Sequence, residues 1–327
     1  MSMPAKKNIS VIGCGYWGQN LIRNFSSLGC LHSISDTDFE LVTSRANEFS
    51  VPHKTFAEIL VCDDIEGVAI AAPAFMHSKL AIDLMNAGKH VFVEKPMAIS
   101  LAEASDMIAA SQKNQTFLMI GHLLQYHPVF RQLRRMVEND EFGKLNYIYS
   151  NRLSFGKIRA EEDVVLSFAP HDISMILSLA GSEPMSVTRD SCSVLQKGID
   201  DIARLHIEFV NGLKADINIS WLNPTKEQKL VLIGEKGMAV FDDTLEWKYK
   251  LAIYRHQINL STLEAIKTDP VFTEVPEAEP LKEECSYFCG VVEGTLHPIT
   301  DGAEGYRVLS VLEAAESAKS GQKAFIV

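Results

Sequence analysis

The sequence has no CxxC pair: its six cysteines stand at 14, 30, 62, 192, 285 and 289, with no dense framework among them. Such spacing excludes a zinc ribbon and a disulfide-stapled scaffold and fits reduced thiols in a cytoplasmic protein. A basic stripe is also missing. Lys plus Arg number 31 against 42 Asp plus Glu, a net charge of -11, so a nucleic-acid backbone finds no counter-charge here. No apolar run approaches the length of a membrane span. The opening stretch MSMPAKKNIS runs straight into a strand pattern, without the apolar region and cleavage site of a secretory signal. No internal repeat and no low-complexity linker interrupts the chain. What remains is 327 residues, 46% hydrophobic and 22% charged, the composition of a globular protein long enough for two cores.

Over the first 120 or so residues, short apolar runs alternate with helical periodicity. NISVIG reads as a first strand, CLHSIS as a second after the helix-ending Gly29, and GVAIAAP, HVFVE and TFLMIGH continue the series. Between them lie HSKLAIDLMNAG and SLAEASDMIAASQKN, the latter opening on Ser100 as N-cap with Glu103 three residues on. Strand and helix in turn predict a doubly wound parallel sheet. After residue 122 the pattern changes. HPVFRQLRRMVEND reads as a helix, followed by KLNYIYSNRLS, ARLHIEFV, KADINISWL, KLVLIG and MAVFDD as strands, with Asn211-Gly212 as a hairpin signal. The expected fold is α/β: an N-terminal Rossmann domain over 1–122, and over 123–327 an α+β domain with an open, mostly antiparallel sheet. Two closing helical patterns, around LKEECSYFCGVVEG and AEGYRVLSVLEAAESAKSG, lie against this structure without adding a third core.

Gly13, Gly15 and Gly18 form GxGxxG in VIGCGYWGQN. The motif is weak alone, but here it follows the first strand and opens the first helix. In that place the glycines permit a tight turn, close approach of a pyrophosphate and close helix packing. The amides of Tyr16 and Trp17 would face the diphosphate. Asp36 ends the second strand, 18 residues beyond Gly18, where a carboxylate accepts from an adenine ribose diol. It would repel a 2'-phosphate, and Thr37 follows where an arginine could have rescued one, so NAD is expected over NADP. The plain alternative is an ordinary loop with Asp36 as a turn residue.

Val91, Phe92 and Val93 read as a buried strand that ends on Glu94 and Lys95, just before Pro96. A lysine at the carboxyl end of a parallel strand stands where open sheets bind ligands. Desolvated by apolar neighbours, it can take the proton that a carbinol hydroxyl sheds as hydride leaves. The alternative is a structural pairing with Glu94 or a surface carboxylate. The cis or trans state of the Lys95–Pro96 bond is not legible.

With GxGxxG, AAPAFMH at 71 to 77, GKHVFVEKPMA at 88 to 98, FAPHDISMI at 168 to 176 and TDGAEGYRVLSVLEAA at 300 to 315, the chain resembles the Gfo/Idh/MocA oxidoreductases over nearly its whole length. The resemblance implies a nicotinamide-dependent dehydrogenase in which Lys95 touches the nicotinamide ribose and the reacting hydroxyl, with His171 at the head of a helix as its proton partner. It also implies cofactor contacts from Pro73, His77 and Glu94, though His77 could simply cap the helix that follows. Many relatives carry aspartates where this chain has Ser167 and Ser174, with Asp172 beside the histidine instead.

The substrate side is expected from GHLLQYHPVF, with Tyr126, and from Arg152, Lys157, Arg159 and His171. These look like the branch that oxidises nucleotide-linked amino sugars, of the UDP-N-acetylglucosaminuronate 3-dehydrogenase type, in surface polysaccharide biosynthesis. A uronate and a diphosphate both call for guanidinium or ammonium partners. Solvated surface charge is the plain alternative for any one of these residues. Two competing functions stay open at this point: a dehydrogenase of a free sugar or inositol, and a non-catalytic, cofactor-sensing regulator of the same fold. No metal is expected, since His122, His127 and His171 lack ligand spacing and a suitable acidic or thiolate partner. A homo-oligomer, dimer or tetramer, is expected through the C-terminal sheet.

Overall fold

A computed structural model of the chain describes residue 6 and residues 8–160, 162–259, 261–319 and 321–326. The reading of MSMPAKKNIS as free of a secretory signal therefore falls largely outside the described residues. The chain forms two compact units: the residues up to Tyr126 with Ala278–Leu309, and His127–Glu277 with Ser310–Val327. Against an expected division at residue 122, the chain leaves the first unit slightly later and returns to it at Ala278.

The first unit runs β1 (Ile9–Ile12), α1 (Gly18–Ser27), β2 (Leu31–Ser35), α2 (Phe39–Phe49), α3 (Phe56–Val61), β3 (Gly67–Ile70), α4 (His77–Asn86), β4 (His90–Glu94), α5 (Leu101–Asn114) and β5 (Leu118–Gly121). The five strands form one parallel sheet in the order β2-β1-β3-β4-β5. β1, β3 and β5 are buried at every position, as strands covered on both faces must be. One face packs Leu21, Ile22 and Phe25 of α1 and Val42 of α2, and the other packs Ile59 of α3, Leu84 of α4 and Met107 of α5. This is the doubly wound sheet the pattern predicts. Ser100 caps α5 by accepting from the Glu103 amide at 3.2 Å, as expected. α2 and α3 are additions to that reading; α3 opens on a capping box between Thr55 and Glu58.

The second unit follows with α6 (Pro128–Glu138), β6 (Leu145–Phe155), α7 (Val164–Ala180), β7 (Pro184–Cys192), β8 (Ile202–Phe209), β9 (Lys214–Ser220), β10 (Leu222–Gly234), β11 (Met238–Asp242), β12 (Leu251–Tyr254), β13 (Gln257–Asn259), β14 (Glu264–Ile266) and β15 (Val271–Phe272). The chain closes with α8 (Pro280–Val292), α9 (Gly302–Ser317) and β16 (Lys323–Phe325). Nine strands form a sheet in the order β15-β12-β11-β10-β6-β9-β8-β7-β16. Every neighbouring pair is antiparallel except β6 with β9. Asn211-Gly212 does join β8 to β9. Only Gly212 takes positive φ, at 85°, and the Asn211 side chain accepts from the Leu213 amide at 3.0 Å. The turn is therefore not the two-residue form with positive φ at both centres.

The return of α8 to the first unit follows from its apolar stripe. Leu281, Cys285, Phe288 and Val292 recur at helical spacing and are buried. The Phe288 ring meets Phe25 at 6.2 Å and Phe92 at 5.8 Å between centroids. That stripe completes the helical layer over β4, which α1 and α2 leave short. Among the described residues no helix is long and apolar enough to cross a membrane.

Candidate active site

The glycine turn leaves β1 at Gly13, whose φ of +95° suits glycine, and a Cβ there would meet the Ala71 carbonyl oxygen at 2.6 Å. At Gly18 a Cβ would lie 1.9 Å from the Gly13 oxygen, so helix α1 can start this close to the strand only with glycine. Gly15 differs, because no protein atom stands within 4 Å of where its Cβ would be. Two glycines thus serve the protein's own packing, while the middle one keeps open space over the turn. Tyr16 and Trp17 are exposed and no side chain caps α1. The first-turn amides therefore meet the requirement of a diphosphate, which sits on uncapped N–H groups at a helix N-terminus. Asp36, one residue past β2, accepts from the Cys14 amide at 2.6 Å and the Asp38 amide at 2.9 Å. Those bonds fix its carboxylate beside the turn and leave lone pairs for a diol. Thr37 is exposed next to it. This cradle fits a dinucleotide with a free 2'-hydroxyl.

Lys95 is half-buried immediately past the carboxyl end of β4, and its bond to Pro96 is cis. Glu94, expected among the cofactor contacts, is instead 7% exposed, and its Oε1 accepts the indole N–H of Trp17. The carboxyl therefore ties the strand that carries Lys95 to the glycine turn, 77 residues earlier. Burial pushes its pKa up to about 7 against the opposing pull of Trp17, Lys95 and His122. Gly121 faces it across the β4–β5 pair, and a Cβ there would meet Glu94 Oε2 at 3.0 Å. Glu284 on α8 is 1% exposed, its Oε1 has no hydrogen-bond partner, and burial, then the charge of Glu94, raises its pKa well above the carboxylate range.

His77, the first residue of α4, is 1% exposed. Its ring does not cap α4: one ring nitrogen lies 2.8 Å from the Ala72 carbonyl oxygen and the other 2.8 Å from that of Pro96. A neutral imidazole can donate to only one of the two, and burial lowers its pKa. The ring brackets the loop after β3 to the loop after β4, so its part in the site runs through those loops. Pro73 is exposed at the start of the turn Ala74–Met76.

Tyr126, expected on the substrate side, is fully buried in the first unit. Its hydroxyl pairs with Thr300 Oγ1 at 2.8 Å and its ring packs on Tyr287, so it is a core residue. In the second unit His171 does not head its helix. α7 begins at Val164, where Asp163 accepts from the Val165 and Leu166 amides, and Pro170 lies inside the helix. His171 is thus eighth in α7 and half-buried. Its neighbour Asp172, 1% exposed, accepts from Ser150 and from both Nε (2.5 Å) and Nη2 (3.2 Å) of Arg152. Arg152, expected to meet substrate, therefore spends its fork on Asp172 and pins α7 to β6. Lys157 is exposed in the loop after β6, and Arg159 pairs with Glu162 at 3.0 Å.

Two of the three histidines weighed as ligands have carboxylate partners. His122 pairs with Glu304 at 2.6 Å, and His127 caps α6 and meets Asp243 at 3.2 Å. Among the described residues the donors that do gather are His32, Cys62 and Asp64, within 4.8 Å of one another. They lie at the amino ends of β2 and β3, the edge of the sheet away from the glycine turn.

Residues 7–122 match the family model described as oxidoreductase family, NAD-binding Rossmann fold, and residues 130–240 match the GFO/IDH/MocA C-terminal domain. The chain belongs to the Gfo/Idh/MocA family. Its first unit is an NAD-binding Rossmann domain, and NAD is the cofactor. The UDP-N-acetylglucosamine 3-dehydrogenase of Acidithiobacillus ferrooxidans is 24% identical over 302 residues, 92% of this chain and 93% of that protein. Its solved structure superimposes with a TM-score of 0.84 at 24% identity, over 95% of this chain and 98% of that one. The WlbA dehydrogenase from Bordetella pertussis, solved in complex with NADH and UDP-GlcNAcA, gives a TM-score of 0.80 at 20% identity over 98% and 99% of the two chains. A myo-inositol 2-dehydrogenase of Thermotoga maritima is 25% identical over 253 residues, 73% of this chain and 76% of that protein. As a member of this family the chain is an oxidoreductase with sugar dehydrogenases among its relatives.

Proposed function

We propose that this oxidoreductase transfers a hydride between a carbinol of a nucleotide-linked amino sugar or uronate and NAD, with Lys95 handling the hydroxyl proton. The observation that carries the reading is Lys95 itself. It is a half-buried lysine at the carboxyl end of β4, and the residue before it is bonded to the turn that would cradle the diphosphate. Bound NAD would supply the hydride acceptor. Lys95 would then lie beside the hydroxyl whose carbon faces the nicotinamide, and general-base assistance there is worth about 10²–10⁴ in rate. The half-buried His171 enters the proposal as proton partner through the family resemblance. The nucleotide-linked class is supported by likeness over nearly the whole chain to relatives that act on or bind UDP-sugars. A product destined for surface polysaccharide belongs to the same reading.

The test mixes purified protein and NAD with UDP-N-acetylglucosamine, its uronate, and free myo-inositol, and follows NADH absorbance. A 2-oxo acid is added as hydride acceptor in case the cofactor arrives reduced. The expected result is turnover with a UDP-sugar, abolished by Lys95→Met while NAD still binds. Turnover with inositol alone moves the substrate to free polyols. Measured NAD binding with no turnover on any of these, or a Lys95→Met variant that keeps its rate, overturns the proposal in favour of a regulator or of another base.

A further inference from the structure

We propose that Cys30 and Cys289 form a site of reversible oxidation, at which hydrogen peroxide or an organic hydroperoxide joins the two sulfurs in a disulfide. Cys30 Sγ and Cys289 Sγ lie 3.0 Å apart although 259 residues separate them in sequence. A disulfide bond measures about 2.05 Å, so the sulfurs need to close by only about 1 Å. Packed elements hold both sides of the contact. The Cys30 carbonyl accepts from the Asn8 and Ile9 amides at 3.1 and 3.0 Å, at the base of β2. Cys289 follows Phe288, whose buried ring lies between Phe25 and Phe92. Cys30 is 3% exposed and Cys289, on α8, is half-buried, so the pair is more open to a small oxidant at Cys289 than at Cys30.

Cys14 and Cys285, two other cysteines of this unit, are poorer candidates. Cys14 is buried, and burial with the charge of Asp36 pushes its thiol up to about 12, while burial raises that of Cys285 further. In the pair, by contrast, either sulfur can donate to the other, and an S–H donated by Cys289 would favour the thiolate on Cys30, in the direction in which the Cys30 pKa is lowered. The thiolate is the nucleophile. Cys30 sulfur attacks a peroxide oxygen: an S–O bond forms, the O–O bond breaks, and hydroxide leaves to take up a proton as water. Cys289 sulfur then attacks Cys30 sulfur: the S–S bond forms, the S–O bond breaks, and a second water leaves with the Cys289 proton. Two thiols lose two electrons, and one peroxide is reduced. The link would fasten α8, where the chain re-enters the first unit, to the strand whose other end presents Asp36. Closing so long a loop favours the folded unit.

The test treats the reduced full chain with hydrogen peroxide, denatures it in N-ethylmaleimide and maps the digest by mass spectrometry. The expected product is a dithiothreitol-sensitive pair joining the Cys30 and Cys289 peptides, in protein that melts roughly 5 °C or more above the reduced form. Cys289→Ser should give instead a sulfenic acid at Cys30, trapped by dimedone, and Cys289→Ala provides the same readout with the apolar packing kept. Exposed Cys192 reports the dose. Cys30 and Cys289 both recovered as alkylated thiols once Cys192 is oxidised, a link from either to another cysteine, or a linked protein that melts no higher, overturns the proposal.

Discussion

Glu94 should make the protein less stable as pH rises, and Glu94→Gln should remove that dependence. In the folded chain burial holds the carboxyl at about 7, against 4.5 for the ordinary group. Between those values the folded state binds more of the proton than the unfolded state does, so its stability is fully present below 4.5 and is lost as pH rises through 7. At about 1.4 kcal/mol per pH unit, the whole step is about 3 kcal/mol. The side chain is 7% exposed, so solvent screens little of this. Glutamine keeps an oxygen to accept from Trp17 and has nothing to ionise. The assay is urea unfolding of the cofactor-free parent and variant at pH 4, 6 and 8. Subtracting one curve from the other cancels the shared groups that do not sense the Glu94 charge, and Glu284, which does, adds to the difference. Below 4.5 the difference should be flat, and by pH 8 the variant should have gained about 3 kcal/mol relative to the parent. Glu284, whose pKa burial also raises, has the same sign, and Glu284→Gln should move the same way. A difference between Glu94→Gln and parent that stays within about 1 kcal/mol from pH 4 to pH 8 refutes the reasoning, because the carboxyl would then be no more protonated in the fold than outside it.

The glycine turn separates folding from binding. Gly15→Ala meets open space, so its melting temperature should match the parent while its NAD dissociation constant rises at least about tenfold, by titration calorimetry. Gly18→Ala drives a methyl to 1.9 Å from the Gly13 oxygen and should lose both melting temperature and binding. Equal loss of stability in the two would show that Gly15 is a packing residue like its neighbour. In the second unit, Arg152→Ala leaves Asp172 buried beside Ser150 alone and should cost about 3 kcal/mol in urea unfolding. Arg152→Lys should recover only part of that, because an ammonium cannot span both carboxylate oxygens. A loss below about 1 kcal/mol would mean that Asp172 finds another cation.

The first unit was more legible in the sequence than the second for a physical reason. A parallel strand covered on both faces needs an unbroken apolar run, and HVFVE emerges as β4 residue for residue. β7 (PMSVTRDSC) carries Arg189 at an inward position and escaped the reading. The structure buries that guanidinium at 1% exposure because Asp163, Asp200 and Glu316 converge on it. These partners come from three separate places in the chain, and no local period registers them. The start of α7 was misplaced for a related reason. The resemblance implies that His171 heads this helix, whereas Asp163 caps it eight residues earlier, and that same aspartate is one of the carboxylates holding Arg189.

The same division runs through the candidate site. The glycines, Asp36 and the position of Lys95 are set by near neighbours in sequence, and they could be read from spacing. For Tyr126, Arg152, Glu94 and His77 the resemblance to the family implies ligand contacts, but it does not reveal which groups of this chain they bond. Each has a hydrogen-bond partner elsewhere in the chain: Thr300 for Tyr126, Asp172 for Arg152, Trp17 for Glu94, Pro96 for His77. In the first unit two of these attachments converge on the loop at Lys95: Glu94 binds it to the phosphate turn, and His77 binds the residue after it to the end of β3. A lysine on a flexible stem is a poor proton acceptor unless its backbone is fixed, since a displacement of about 1 Å can cost 10²-fold in rate. Burying a carboxyl at an expense of about 3 kcal/mol is then intelligible, because the bond it makes fixes the lysine's own strand to the turn that would hold the cofactor.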